Sequence, residues 1–156
     1  MNTMNRILIV DDHALFRGAL RKYLSAAPDF QVVGEAGSLR EAMGSVEALS
    51  PELVLTDLTM PDASGVEAVA EIKRRYPEVK IIVLSFQCAD EYKRLCIEAG
   101  ADGYIVKDSV CDELCGGIRA VLAGRTWMGA EAADERVPEY APGSPASSAY
   151  RAHILH

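Results

Sequence analysis

Aromatic residues, long apolar runs and basic residues are all scarce in this 156-residue sequence. Aromatic residues make up 6% of it, and no apolar run approaches the roughly 20 residues that span a bilayer. Only four apolar residues lie between Arg6 and Asp11, which is too few for the core of a signal peptide. Lys and Arg number 16 against 23 Asp and Glu, so the net charge of −7 leaves no basic excess for nucleic-acid phosphates. We expect a cytoplasmic protein with no membrane segment.

Cysteine is also sparse, and its spacing excludes the common cysteine frameworks. The four residues are Cys88, Cys96, Cys111 and Cys115, and no pair has the C-x-x-C spacing. A chain of this size does not need disulfides to hold a core. Cys111 and Cys115 could share a helix face, but no histidine lies near them in sequence. We therefore favour small, buried apolar residues over a zinc site.

The overall composition, 49% hydrophobic and 25% charged, is typical of a globular protein. The length suits one domain with an appendage. The composition changes after about residue 130, because residues 131–156 hold three prolines and no long apolar run. We predict one domain over residues 1–130 and a linker or tail over residues 131–156.

Five short apolar runs recur along the first 130 residues. They lie at positions 7–10, 31–34, 53–55, 81–84 and 104–106. Each run is continuous and rich in β-branched residues, which is typical of strands buried on both faces of a parallel sheet. Segments with apolar residues at helical spacing follow the runs. The pattern predicts an α/β fold with a doubly wound parallel sheet and right-handed crossovers.

Local signals mark several helix ends and one conflict. Ser38 followed by Glu41 predicts a capping box, and Asp90 and Ser109 are predicted N-caps. The pair Gly116–Gly117 lies inside the fifth predicted helix, where each glycine costs up to about 1 kcal/mol relative to alanine. Close packing is the available explanation for this pair.

Polar residues follow four of the predicted strands. Asp11 and Asp12 end the first strand, Asp57 the third, Ser85 the fourth and Lys107 the fifth. Ligands of such sheets bind at the carboxyl ends of the strands. In the order 2-1-3-4-5 the first and third strands are neighbours, so three carboxylates converge and require a cation. Their hard oxygens suit Mg²⁺, while the lysine and the serine hydroxyl can meet an added anion.

Several segments resemble a known protein family: ILIVDDH at 7–13, LVLTDLTMPDASGVE at 53–67, IIVLS at 81–85 and GADGYIVKDS at 100–109. Over about residues 5–130 the sequence resembles the receiver domain of bacterial two-component response regulators. The segments VDDHALFRGALRKYL at 10–24 and IRAVLAGRTWM at 118–128 make it most similar to the NarL/LuxR type. The resemblance implies the flavodoxin-like (βα)5 fold with strand order 2-1-3-4-5. It also implies a regulatory phosphoacceptor that catalyses its own phosphoryl transfer, not an enzyme.

The resemblance assigns a phosphoryl site with Mg²⁺ as its cofactor. Asp57 is the implied phosphoacceptor, a carboxylate nucleophile that forms an acyl phosphate. Asp12 is the implied direct Mg²⁺ ligand, Asp11 acts mainly through water, and the Thr59 backbone carbonyl completes the protein ligands. Lys107 is implied to pair with the phosphoryl oxygens.

The resemblance also implies a switch and two positions that tune phosphoryl lifetime. Ser85 turns its hydroxyl toward the phosphoryl group, and Tyr104 moves inward behind it. Thr59 and Gln87 occupy the positions that tune lifetime. Phe86 departs from the family, which more often has a smaller or more flexible residue there.

The implied partner is a sensor histidine kinase, whose phosphohistidine donates the phosphoryl group. NarL/LuxR-type regulators normally continue into a helix-turn-helix domain, which residues 131–156 do not resemble. Two outputs stay open: transcription regulation through a DNA-binding domain missing from this chain, or a stand-alone receiver adaptor that acts by protein contacts. The family expectation is a homodimer through helices 1 and 5, or through the face of helix 4, strand 5 and helix 5.

Two other functional classes share parts of this pattern. An FMN-binding module would need a Ser/Thr/Gly-rich loop after the first strand, where Asp11 and Asp12 would repel the FMN phosphate. A haloacid-dehalogenase-type phosphatase expects a second aspartate two residues after the nucleophile, and Thr59 stands there instead. Neither class fits as well as the receiver domain.

Overall fold

A computed structural model describes residues 4–129 of the chain, so the predicted tail over residues 131–156 lies outside the described part. The strands are β1 (Asn5–Val10), β2 (Phe30–Ala36), β3 (Leu53–Asp57), β4 (Thr59–Met60), β5 (Ala63–Ser64), β6 (Lys80–Ser85) and β7 (Gly103–Val106). The helices are α1 (Ala14–Ser25), α2 (Leu39–Leu49), α3 (Gly65–Arg75), α4 (Asp90–Glu98) and α5 (Val110–Leu122), and a 3₁₀ turn spans Lys107–Ser109. Within residues 4–129, no helix is long and apolar enough to cross a membrane.

The central sheet is parallel and has the order β2-β1-β3-β6-β7. Since β4 and β5 form a separate two-stranded antiparallel hairpin, the five central strands follow the order 2-1-3-4-5. The predicted flavodoxin-like α/β fold is therefore confirmed. The hairpin was not predicted, because its two-residue strands are too short to carry an apolar pattern.

Two apolar cores cover the two faces of the sheet, and this explains the continuous apolar runs. Along β1, Ile7 and Ile9 pack in the core that includes α1 and α5. Leu8 and Val10 pack in the opposite core with α2, α3 and α4. Successive strand residues point to opposite faces, so both sets must be apolar when helices cover both faces.

The helix ends differ in part from the predictions. Ser38 accepts a hydrogen bond from the Glu41 amide at 3.1 Å, so it is the N-cap of α2. The predicted capping box is wrong in its reciprocal half, because the Glu41 carboxylate accepts from the Gly37 amide rather than from the Ser38 amide. Asp90 as N-cap of α4 is wrong, because Ala89 takes that position and α4 begins at Asp90. Ser109 does precede α5, but its side chain makes no capping hydrogen bond.

The segment after α5 explains one glycine of the pair, Gly117. The Trp127 amide donates to the Asp102 carbonyl at 3.0 Å, and the Tyr104 amide donates to the Trp127 carbonyl at 2.8 Å, which sets this segment beside β7. A Cβ on Gly117 would lie 3.0 Å from Ile105 Cδ1 and 3.1 Å from Trp127 Cδ1. Gly117 therefore makes room for the Trp127 indole against α5.

The cysteines are only partly buried. Cys96 is fully buried on α4, and burial raises the pKa of its thiol to about 11. The expectation of a buried residue is wrong for Cys111, which is exposed on α5 because it lies off the helix face that packs on the sheet. Cys111 and Cys115 belong to no group of three or more candidate metal ligands among the described residues.

Candidate functional site

Parallel pairing brings the acidic residues together at one end of the sheet. Val10 pairs with Thr56, so Asp11 and Asp57 follow at adjacent positions on neighbouring strands β1 and β3. Single ligand atoms from Asp11, Asp12, His13 and Asp57 all lie within 4.8 Å of one another. The predicted convergence of three carboxylates is therefore present in the structure.

Lys107 is the counter-cation of this acidic cluster. Its Nζ lies 2.9 Å from Asp11 Oδ2 and 3.2 Å from Asp57 Oδ1. The Lys107 side chain is 4% exposed, so the ammonium and two carboxylates are buried together. Asp12 differs from them, because 38% of its side chain is exposed. One ammonium thus meets two buried carboxylates, and a third carboxylate faces solvent.

The electrostatic environment of Asp57 opposes its ionisation. Burial raises the pKa of the Asp57 carboxyl, and repulsion by Asp11 raises it further. The Lys107 ammonium and the Leu58 amide, which donates to Asp57 Oδ1 at 2.8 Å, act in the opposite direction. The net direction of the pKa is upward, because burial and Asp11 outweigh Lys107 and the Leu58 amide. The arrangement can accommodate a further cation.

His13 contacts both acidic residues that end β1. Its amide donates to Asp11 Oδ1 at 2.8 Å. Its Nδ1 lies 3.3 Å from Asp11 Oδ1 and 3.1 Å from Asp12 Oδ1, while the side chain is 72% exposed. The first of these contacts fixes the orientation of the Asp11 carboxylate at the start of α1.

Two aromatic rings border Lys107. The centroid of the Phe16 ring lies 4.4 Å from Lys107 Nζ, and that of Phe86 lies 5.3 Å from it. Both distances fall within the range of cation–π attraction. The ammonium is therefore bounded by carboxylates on one side and aromatic rings on another.

Arg17 holds the end of β1 from α1. Its Nη1 donates to the Asp11 carbonyl, and its Nε donates to Glu35 Oε1 at 3.1 Å. Arg21 also donates to Glu35, at 2.6 Å, and this pairing is the main reason that the pKa of Glu35 is lowered.

The sequence reasoning assigned no role to His13, Phe16 or Arg17. The available signal was their spacing. His13 follows Asp12 directly, and Phe16 and Arg17 lie three and four residues after His13, which places all three on one face of the start of α1.

Ser85 and Tyr104 are joined through the loop after β6. Ser85 Oγ accepts a hydrogen bond from the Gln87 amide at 2.9 Å. The Tyr104 hydroxyl donates to the Gln87 carbonyl at 2.7 Å, and the Tyr104 side chain is fully buried. The Tyr104 ring is thus buried, and the backbone of Gln87 joins it to the serine.

The loop after Asp57 forms the β4–β5 hairpin and then enters α3. Thr59 is exposed in β4 and pairs with Ser64. Gly65 starts α3, and its amide donates to the Leu58 carbonyl. A Cβ on Gly65 would lie 2.6 Å from Leu58 Cα, so this glycine is required by close backbone approach.

Comparison with known proteins agrees with this geometry. The family model of the response regulator receiver domain matches residues 7–119. The chain is 33% identical over 135 residues to the transcriptional regulatory protein DegU of Brevibacillus brevis, which covers 86% of this chain and 57% of DegU. It is 38% identical over 130 residues to the DNA-binding transcriptional activator DevR/DosR of Mycobacterium tuberculosis, which covers 83% of this chain and 60% of that protein. The chain thus spans 57–60% of the length of these curated relatives.

A solved structure is similar over most of the chain. The LuxR-family two-component response regulator from Aurantimonas sp. has a TM-score of 0.80 and 34% identity, and the match covers 88% of this chain and 98% of that one. Asp11, Asp12 and Asp57 form the acidic cluster typical of a receiver-domain metal site, and Lys107 lies beside it. The chain therefore belongs to the family of response regulator receiver domains, which are phosphoacceptors rather than classical enzymes.

Proposed function

We propose that Asp57 accepts a phosphoryl group from the phosphohistidine of a sensor histidine kinase. The observation that carries this proposal is the buried Asp57 carboxylate at the carboxyl end of β3, with Lys107 Nζ 3.2 Å away. A carboxylate oxygen of Asp57 attacks phosphorus, and the bond from phosphorus to the imidazole nitrogen breaks. The electron pair of that bond leaves with the imidazole, and an acyl phosphate forms on Asp57.

The residues around Asp57 supply charge neutralisation and positioning. Lys107 shifts part of its pairing from the carboxylates to the phosphoryl oxygens, and Ser85 offers a hydroxyl from the neighbouring strand. The Leu58 amide holds Asp57 Oδ1 during the attack. Phosphoryl transfer depends mainly on such positioning and charge, so this small set of side chains suffices.

The cofactor in this proposal is Mg²⁺. Asp11, Asp12 and Asp57, with the Thr59 backbone carbonyl, would hold it, since carboxylate and carbonyl oxygens are the ligands that it prefers. Bound there, it would supply positive charge that neutralises the phosphoryl oxygens, in addition to the charge of Lys107. The charges of the site support this assignment, because three carboxylates lie close together and the Lys107 ammonium pairs with only two of them.

Ser85 and Tyr104 form the proposed switch, and Thr59 and Gln87 tune phosphoryl lifetime. A Ser85 hydroxyl that turns toward the phosphoryl group gives up its hydrogen bond with the Gln87 amide. The Gln87 carbonyl also accepts from Tyr104, so a movement of this loop changes the environment of the buried ring. The loop thus links phosphorylation to the face formed by α4, β7 and α5.

The proposed output is transcription regulation by a longer protein with a DNA-binding domain, in which residues 131–156 follow the receiver domain as a linker. The lengths and titles of the relatives support it, because DevR/DosR is a DNA-binding activator and the match covers 60% of it. We expect a phosphorylation-dependent homodimer, through α1 and α5 or through the face of α4, β7 and α5. A phosphorylated chain that stays monomeric by light scattering would favour the stand-alone adaptor.

Intact mass spectrometry tests the phosphoacceptor. Incubation with Mg²⁺ and acetyl phosphate should add one phosphoryl group to the wild type and none to Asp57→Asn. Asp62→Asn is the matched control, because Asp62 is an exposed aspartate in the β4–β5 turn, away from the cluster. An adduct that persists in Asp57→Asn would contradict the assignment.

A further inference from the structure

Phe86 is a large apolar side chain in an unfavourable place. It follows Ser85 directly at the end of β6, and it is 67% exposed to solvent. Exposed phenyl rings contribute nothing to the core, and neither of the two apolar cores includes this residue. The charged group that its ring does approach is the Lys107 ammonium.

The ring lies over the charged centre of the phosphoryl site. Its centroid is 5.3 Å from Lys107 Nζ, and the half-buried Phe16 approaches the same ammonium at 4.4 Å. These two rings come from different elements, the loop after β6 and the first turn of α1. The Lys107 side chain, which also pairs with Asp11 and Asp57, is only 4% exposed.

The aromatic rings over Lys107 affect water at the site in two ways. A buried ammonium keeps its full attraction for phosphoryl oxygens, because little water screens it. An apolar ring beside it also offers no hydrogen bond that would hold a water molecule next to phosphorus. Both effects favour retention of the phosphoryl group.

We propose that Phe86 shields the phosphorylated site and slows hydrolysis of the acyl phosphate on Asp57. In that hydrolysis a water oxygen attacks phosphorus, and the bond from phosphorus to the Asp57 oxygen breaks with its electrons returning to the carboxylate. The water proton leaves with inorganic phosphate. The inference rests on the proposed phosphoacceptor function and concerns its lifetime.

The test compares three variants of the full chain after phosphorylation with acetyl phosphate and Mg²⁺. Phe86→Ala removes the cover and should shorten the half-life of the adduct by roughly three- to tenfold. Phe86→Leu keeps an apolar side chain of similar reach, and its half-life should stay within about twofold of the wild type. Leu15→Ala is the control, since Leu15 is 92% exposed near the same end of α1. Its half-life should not change.

A second measurement separates shielding from a structural effect. Phe86→Ala should increase the rate of phosphorylation by benzoyl phosphate more than that by acetyl phosphate, because removal of the cover helps the larger donor most. Its thermal midpoint should match that of the wild type, as expected for an exposed side chain.

The contradicting results are distinct. Equal half-lives in the wild type and Phe86→Ala would overturn the shielding role alone. A Phe86→Leu adduct that is lost as fast as that of Phe86→Ala would also overturn it, because apolar cover would then not be the cause. Absence of any adduct in the wild type would overturn the proposed function together with this inference.

Discussion

At the scale of single residues, the site combines charges that oppose one another. Asp11 and Asp57 share one ammonium, and each carboxylate is buried. The raised pKa of Asp57, caused first by burial and then by Asp11, means that the folded state binds its proton more tightly than the unfolded state. Ionisation of Asp57 therefore lowers the free energy of unfolding as pH rises through the interval between the unfolded and folded pKa values.

Removal of the Asp57 charge should stabilise the fold at neutral pH. We expect Asp57→Asn to raise the denaturant midpoint in the absence of Mg²⁺, and to gain less from added Mg²⁺ than the wild type. Asp62→Asn should act in the opposite direction, because the Leu39 and Arg40 amides lower the pKa of Asp62 and so favour its charged form. A lower midpoint for Asp57→Asn than for Asp62→Asn would contradict this description of the site.

At the scale of elements, the two glycines of α5 separate helix propensity from tertiary packing. Packing requires glycine only at Gly117. A Cβ on Gly116 would have its nearest contact at 3.9 Å, with Trp127 Cη2, which is an ordinary van der Waals distance. A Cβ on Gly117 would be 3.0 Å from Ile105 and 3.1 Å from Trp127. Adjacent positions in one helix are thus expected to respond to alanine in opposite ways.

We predict that Gly116→Ala raises the free energy of unfolding by about 0.5–1 kcal/mol, because alanine is the better helix former. Gly117→Ala should lower it by about 1–3 kcal/mol, because the added methyl group overpacks the contact of α5 with β7 and Trp127. Urea denaturation measures both values. Equal effects of the two substitutions would show that Trp127 does not pack as described.

Much of the fold and part of the site follow from local pattern. The continuous apolar runs predict a doubly wound sheet, and the chain direction then places Asp11, Asp57 and Lys107 at one end. The neighbours of Lys107 were not predictable in this way. Whether Phe16 and Phe86 reach the ammonium depends on how α1 and the loop after β6 pack against the sheet. The spacing of residues in the sequence does not determine that packing.

The N-caps of the helices also could not all be predicted from the sequence. Asp90 has the side chain of an N-cap, yet the loop after β6 brings Ala89 to that position. Ser64 and Glu67 form a complete capping box at the start of α3, with hydrogen bonds of 3.1 and 2.9 Å, and that box was not predicted.

At the scale of the whole molecule, the residues that stabilise the fold and the residues of the charged site occupy different parts of the sheet. The two apolar cores lie on the faces of the sheet, while the buried charges lie at the carboxyl ends of the strands. Burial of the charges has an electrostatic cost that a stable two-faced core can offset. In the proposed function, we expect the loops after β6 and β7, rather than the sheet, to respond to a phosphoryl group.

In the proposed function, Asp57 alone carries the phosphoryl group. The most direct measurement is borohydride reduction of the chain after treatment with Mg²⁺ and acetyl phosphate, followed by peptide mass spectrometry. Reduction converts an aspartyl phosphate to homoserine and leaves free aspartate unchanged. We expect homoserine at position 57, and we expect Asp11 and Asp12 to remain unmodified. Homoserine at Asp11 or Asp12, or its absence from position 57 while an adduct is present, would contradict this expectation.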